Sequence, residues 1–286
     1  MTSSFAPLAA TCAPALPVQQ LVIGKPVGEV VALIPRLFNL CKGAQEAAVK
    51  LALGVDLGAT ATADLGAEFA RDHLLRLGLI LPKSLGLDPL PVGQGAEGLM
   101  PADMPADWDA FSAWMESGQG FAPVFAALNE AFEAGEAVAV LPTPTDDDFF
   151  EAGAYENSTA IRHIQKPLMQ IMEEKFGRGP LWRATARLLD LQDCLSGDLP
   201  APRLIGDGAA LVPASRGVYA VRATAKDGYV TQFSRVTPTD HLMASGGIME
   251  KTLENLPASK HHLAAVVLDT LDPCVPVNLS GGAADA

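Results

Sequence analysis

The sequence predicts a mainly α-helical fold with a small antiparallel β element near the C-terminus. Three observations lead there. Apolar residues recur at three- and four-residue steps through most of the chain, the period of a helix with one buried face. Apolar residues make up 49% of the chain and aromatics only 6%, with Ala and Leu filling much of the rest, which favours closely packed helices. One segment departs from this pattern. Two β-branched and aromatic runs, Gly217–Thr224 and Tyr229–Val236, flank Lys226-Asp227-Gly228, and Asp-Gly between such runs is a strong hairpin signal. A length of 286 residues suffices for one large domain, and 1–286 is read as a single unit.

Taken in order, Met1 to Val22 reads as irregular, with Pro7, Pro14 and Pro17 closely spaced. From Pro26 to about Gly54 the pattern is helical, through Val30, Leu33, Ile34, Leu37, Cys41, Ala44, Ala48 and Leu51. Pro35 predicts a break or kink there and a new helix near it. Cys41 then falls on the apolar stripe of that second helix or in its first turns. Ala63–Leu81 reads as a helix, Ser84–Asp107 as a long Gly- and Pro-rich loop, and Trp108–Glu116 and Phe121–Ala134 as short helices. Asp146, Asp147 and Asp148 lie in a segment without oxygen-ligand spacing and read as a solvated acidic loop. Ser158–Phe176 and Leu181–Leu195 read as amphipathic helices. After the hairpin come a loop, a last helix from about Ser259 to Leu271, the loop Asp272–Leu279 and a flexible tail over 280–286.

Composition excludes several classes of function. A net charge of -13 repels nucleic acid and anionic lipid headgroups. The four cysteines, Cys12, Cys41, Cys194 and Cys274, form no CxxC pair and no secreted disulfide framework. No Lys or Arg precedes Lys25, so the basic start of a signal peptide is missing, and no run of about 18 apolar residues spans a membrane. The expected location is the cytoplasm. His261 and His262 are adjacent on a helix and point to different faces, and His73, His163 and His241 show no ligand spacing, so no role falls to them.

Two segments carry the chemistry: PRLFNLCKGAQ, from Pro35 to Gln45, and LDPCVPVNLS, from Leu271 to Ser280. Taken alone, Cys41 on an apolar helix face reads as an inert core thiol, Asp272-Pro273 as a helix terminator and Arg216 as a surface arginine at a strand start. In this order, with PASRGVYAVRATAKDGYVTQFSRVTPTDHLM before the second, they resemble nickel–iron hydrogenase large subunits. Those proteins carry RxCGxC near one end, DPCxxC near the other, and an APRG…DG…PT stretch before the second motif. Four thiolates there hold nickel and an Fe(CN)2(CO) unit.

The match is partial. Arg36 stands at the motif's arginine, Phe38 at its first cysteine and Cys41 at its second. Asp272, Pro273 and Cys274 match DPC, and Val277 replaces the last cysteine. Gln45 and Ser280 stand where histidines often follow, and Ser215 replaces the proline of APRG. Arg216, Gly217, Pro238 and Thr239 are kept, and the resemblance implies that Arg216 and Thr239 contact the cyanides. Phe and Val offer no donor atoms, so the nickel half is lost and the iron half remains. This pattern is similar to the large-subunit-like accessory proteins of the HupK/HoxV family. The resemblance covers Lys25–Leu53 and Arg203–Ser280 and implies a reduced large-subunit-like fold. It also implies a maturation scaffold, not an enzyme, that carries Fe(CN)2(CO) on Cys41 and Cys274 without nickel. Its partners would be the hydrogenase assembly proteins and the large-subunit precursor, with no nucleic acid and no membrane. A metal-free chaperone that mimics the large subunit is the alternative, and an active hydrogenase with unusual ligation a further one.

Overall fold

The structure is a computed structural model that describes residues 6–14, 16–38 and 40–282. Strand β1 (Ala6–Cys12) and the short helix α1 (Val18–Val22) come first, followed by α2 (Val27–Leu37), α3 (Lys42–Ala52) and α4 (Ala61–Leu75). A π-turn over Arg76–Ile80 carries α4 into α5 (Leu81–Ser84). Next are α6 (Trp108–Glu116), α7 (Ala122–Ala131), α8 (Pro167–Phe176) and α9 (Pro180–Ser196). Strands β2 (Arg203–Gly206), β3 (Ala209–Ala214), β4 (Gly217–Lys226) and β5 (Tyr229–Val236) form a four-stranded antiparallel meander in that order. Helices α10 (Pro238–Leu242), α11 (Ile248–Glu254) and α12 (Ala264–Leu271) lead to β6 (Val277–Gly282), which pairs antiparallel with β1. Among the described residues no helix is long and apolar enough to cross a membrane.

The β content is larger than the single hairpin the sequence predicts. Asp207-Gly208 turns β2 into β3, a second Asp-Gly signal with Gly208 at φ 69. Strand β3 is buried along its whole length, so it lacks the alternation that marks a half-exposed strand. The segment read as irregular over 1–22 contains β1 and α1; residues 1–5 and Ala15 lie outside the described residues. β1 escaped prediction because its partner is at the other end of the chain, and Pro7 sits where the register shifts, a place that tolerates a missing N–H. The tail read as flexible over 280–286 is strand up to Gly282, and 283–286 lie outside the described residues.

Prolines set several helix ends. Pro167 starts α8 with Lys166 extended before it, so the long helix expected over Ser158–Phe176 divides into a 3-10 turn at Thr159–Arg162 and α8. The last helix divides likewise, into a 3-10 segment at Ala258–Leu263 and α12. Pro35 lies in the last turn of α2; the chain leaves the helix at Phe38 and α3 begins at Lys42. Helix α9 is not amphipathic over its first three turns, because every residue from Pro180 to Leu191 is buried. It runs through a core of Phe111, Phe125, Met169 and Trp182 that joins α4 to α12. A second core, with Ile34, Ala48, Phe69, Val221 and Phe233, lies between α2, α3, α4 and one face of the meander.

Candidate metal-group site

Cys41 is the residue before α3, not a member of its apolar stripe. It takes the left-handed conformation, φ 53 and ψ 37, as the chain turns from extended Phe38 into the helix. Its Sγ lies 3.4 Å from Ser215 Oγ and accepts from Arg216 Nη1 at 3.3 Å. Burial pushes the Cys41 thiol above its ordinary range, and the Arg216 charge pulls it down only in part. The free protein therefore holds it as a thiol at neutral pH.

The second segment is anchored by Asp272. Helix α12 ends at this residue, which is left-handed at φ 53 and ψ 58, and Pro273 stops any continuation. Its carboxylate is buried and pairs with Arg216 at 3.1 Å, with Arg187 at 3.0 Å and with Arg76. Burial alone would raise its pKa, but Arg187, Arg216 and Arg76 outweigh that and hold it below the usual carboxylate range. Arg216 Nε donates to the Asp272 carbonyl at 3.0 Å, and Nη1 to Asp72 Oδ2 at 3.2 Å. Arg216 is thus buried between two carboxylates and the Cys41 sulfur, not exposed at a strand start.

Thr239 completes the group. Thr237 and Asp240 form a capping box and Pro238 fills the first turn of α10. That fixes Thr239, whose Oγ1 accepts from the Cys274 N–H at 2.9 Å. A hydroxyl that accepts there still has its own proton to donate. A small cavity of about 20 Å³ lies beside Arg216, Thr239, Asp272 and Thr270, with room for a group the size of one water. The fold therefore brings Cys41, Arg216, Thr239 and the Cys274 backbone together from opposite ends of the chain.

Gly217 supports Arg216 from behind. It adopts φ 144, and a Cβ there would meet Asn157 Oδ1 at 2.4 Å and Asn157 O at 2.7 Å. Asn157 cannot retreat, because it exchanges two hydrogen bonds with Val218 at 2.7 and 2.9 Å. We expect Gly217→Ala to destabilise the fold by roughly 2–4 kcal/mol. A shift of the urea midpoint measures it, and an unchanged midpoint would mean the turn is soft.

Sequence reading missed the supporting groups. Asp72 and Arg76 lie on one apolar-periodic stretch and Arg187 on α9, where charged residues read as solvent-facing. His73, given no role from sequence, is fully buried; Arg187 Nη1 donates to its Nδ1 at 3.1 Å, so its proton sits on Nε2 and goes to Asp190 at 2.7 Å. Asp190 also accepts from Arg162 at 2.6 and 2.8 Å and from His163 at 3.0 Å. His73, Asp190 and Cys194 are close enough to hold a metal ion, but the Arg162 guanidinium already covers the Asp190 carboxylate. Burial pushes the Cys194 thiol up to about 12, so the cluster reads as a structural ion network. The acidic loop is as expected, with Asp148 accepting from Thr145 and Asp146 paired with Arg203. Phe38 is extended beside Cys41's segment, and Val277 lies in β6 opposite Cys12.

Two thiol-bearing segments flanking a buried arginine, on helices joined to a meander, define a reduced hydrogenase large-subunit-like protein. Among solved structures the chain is similar to a chain of the Ni-Fe-Se hydrogenase from D. vulgaris Hildenborough. The TM-score is 0.58 at 12% identity, over 95% of this chain and 97% of that one, a likeness of fold. No family model matches the chain. In sequence it is 48% identical over 272 residues to the hydrogenase expression/formation protein HupK of Rhodobacter capsulatus, covering 92% of this chain and 90% of that one. The chain belongs to the HupK family of hydrogenase expression/formation proteins.

Proposed function

We propose that this chain is a nickel–iron hydrogenase maturation scaffold that carries an Fe(CN)2(CO) group as cargo to a hydrogenase large-subunit precursor. The observation that carries the reading is the meeting of Cys41 and Arg216 Nη1 with Thr239 and the Cys274 turn. Thiolates are soft ligands suited to low-valent iron. A guanidinium and a free hydroxyl proton suit cyanide nitrogens, which are hydrogen-bond acceptors. The cavity beside Arg216 and Thr239 has the size of the end of one diatomic ligand. Phe38 and Val277 supply no donor, so a four-sulfur nickel site has half of its ligands.

On this reading the protein has no catalytic residue of its own. It holds the cargo by two sulfur ligands and releases it to a site that offers four. Its partners are the assembly proteins that build the iron group and the precursor that receives it. Free thiol ligands require a reducing compartment, and the proposed location is the cytoplasm.

The test is infrared spectroscopy of protein purified anaerobically from a host expressing the hydrogenase assembly proteins. We expect cyanide and carbonyl stretching bands that disappear in Cys41→Ser and in Cys274→Ser. Absent bands, with intact maturation in both variants, would leave a metal-free chaperone as the better account. Bound nickel and hydrogen uptake would instead mark an active hydrogenase.

A further inference from the structure

Arg216, which reaches the Cys41 sulfur, already has two carboxylate partners, Asp72 and Asp272. A second guanidinium borders the same region without such partners. Arg235 lies near the end of β5, in register with Val221 of β4, four residues before Thr239. Its guanidinium lies over the Phe38 ring, 4.8 Å from the centroid. Phe38 in turn is three residues before Cys41, at the position where the resemblance places a metal-binding thiolate. Among the described residues no carboxylate lies within ion-pair distance of Arg235. Phe38 and Cys41 pack against one apolar cluster that includes Tyr219 and Val221, the register partner of Arg235, so the cation and the first thiol segment share one side of the fold.

Charge bookkeeping says what such a cation does. Two thiolates form a general trap for soft divalent metals, and nickel binds such sites more tightly than iron does. A bare divalent cation on two thiolates gives a neutral complex. Ferrous iron with two cyanides is already neutral, so two thiolates make it a dianion, with the thiol protons leaving to solvent. A fixed guanidinium repels the incoming bare cation and stabilises the dianion. Arginine suits the task because it stays protonated and its planar, weakly hydrated head stacks on an aromatic ring. Phe38 thus does more than remove a ligand: it supplies the platform that holds a positive charge on that side.

We propose that Arg235, stacked on Phe38, is the specificity-determining residue that makes the Cys41–Cys274 pair prefer an anionic cyanide-bearing metal group over a bare divalent cation. The inference rests on the carrier reading for its cargo, but its cation arm is independent of it.

The test uses the full-length protein with Arg235→Met, which keeps an apolar stem on Phe38 and removes the charge, and Arg235→Lys, which keeps the charge. Nickel(II) alone is titrated into each apo protein without oxygen, followed by the thiolate-to-nickel absorption band. We expect Arg235→Met to bind nickel about tenfold more tightly than wild type and Arg235→Lys to stay close to it. In protein loaded by the assembly partners, the infrared bands per chain should fall several-fold in Arg235→Met and persist in Arg235→Lys. Equal nickel affinity in wild type and Arg235→Met overturns the proposal whatever the bands do. Missing bands in wild type, with the nickel difference present, overturn the carrier reading and leave cation exclusion standing.

Discussion

Asp272→Ala should destabilise this protein by about 3–5 kcal/mol, among the largest losses expected of any single substitution here. The carboxylate is 1% exposed and is the common partner of Arg76, Arg187 and Arg216. Removing it leaves Arg187 without its carboxylate and reduces Arg76 and Arg216 to one each, Asp269 and Asp72, and a buried unpaired charge is far costlier than the lost pair itself. A second penalty is conformational. Asp272 ends α12 in the left-handed region, which Asp and Asn tolerate by local hydrogen bonding and Ala does not, at about 1–2 kcal/mol. Asp272→Asn keeps that backbone and the side chain's shape, so it should lose less than Ala while still removing the negative charge the three arginines share. Chemical denaturation of the three proteins checks this order. Equal stability of Ala and wild type would show that the arginines relax outward to solvent.

The same substitution should reach the site. Asp272 holds Arg216 through both its carboxylate and its backbone carbonyl, and Arg216 holds the Cys41 sulfur. Pro273 and Cys274 follow directly, so loss of the left-handed turn moves the Cys274 amide off Thr239.

How far this arrangement was legible follows from where each signal lives. Trp108–Glu116 and Tyr229–Val236 are read from sequence with the bounds they have in the fold, because one is a capped helix with a clean stripe and the other is flanked by Asp-Gly. Strand β1 is not legible, since it exists only when β6 lies beside it. Cys41, Arg216, Gly217, Pro238, Thr239 and Cys274 stand out through the order of their motifs, and the fold brings their segments together. Their supports do not stand out. Asp72, Arg76 and Arg187 sit on helices whose periodicity is apolar, and local pattern cannot say that a helix such as α9 is buried on every side. The partners of these charges lie far away along the chain, Asp272 for Arg76 and Arg187, and Arg216 for Asp72, so only the fold pairs them.

Acid should unfold the protein in two stages, and the first should begin near neutral pH. His73 is fully buried, and burial lowers its pKa below the ordinary value despite the attraction of Asp190. Its Nδ1 accepts from Arg187, so a second ring proton would face a guanidinium N–H. The folded state therefore keeps His73 neutral, while the unfolded chain takes up a proton near pH 6.5. The stability from this group is complete above about pH 6.5 and declines below it, at about 1.4 kcal/mol per pH unit for each proton. His241 adds in the same direction, since burial lowers its pKa while its ring is held between Glu151 O and the Asn157 amide. Asp190 brings the second stage. Burial would raise its pKa, but Arg162 and the hydrogen bonds from His163 and His73 hold it well below the usual range. Its contribution is present above about pH 4, where the unfolded carboxylate titrates, and is lost as pH falls further. Thermal melting from pH 7.5 down to pH 3 should show a shallow decline beginning near 6.5 and a steep one below 4. His73→Gln, neutral at every pH, should start less stable and flatten the upper limb while leaving the lower limb in place. A melting temperature that stays level from pH 7.5 to 5 in the wild type would mean that the interior accepts the histidine proton, and that the Arg187–His73–Asp190 chain carries it without opening.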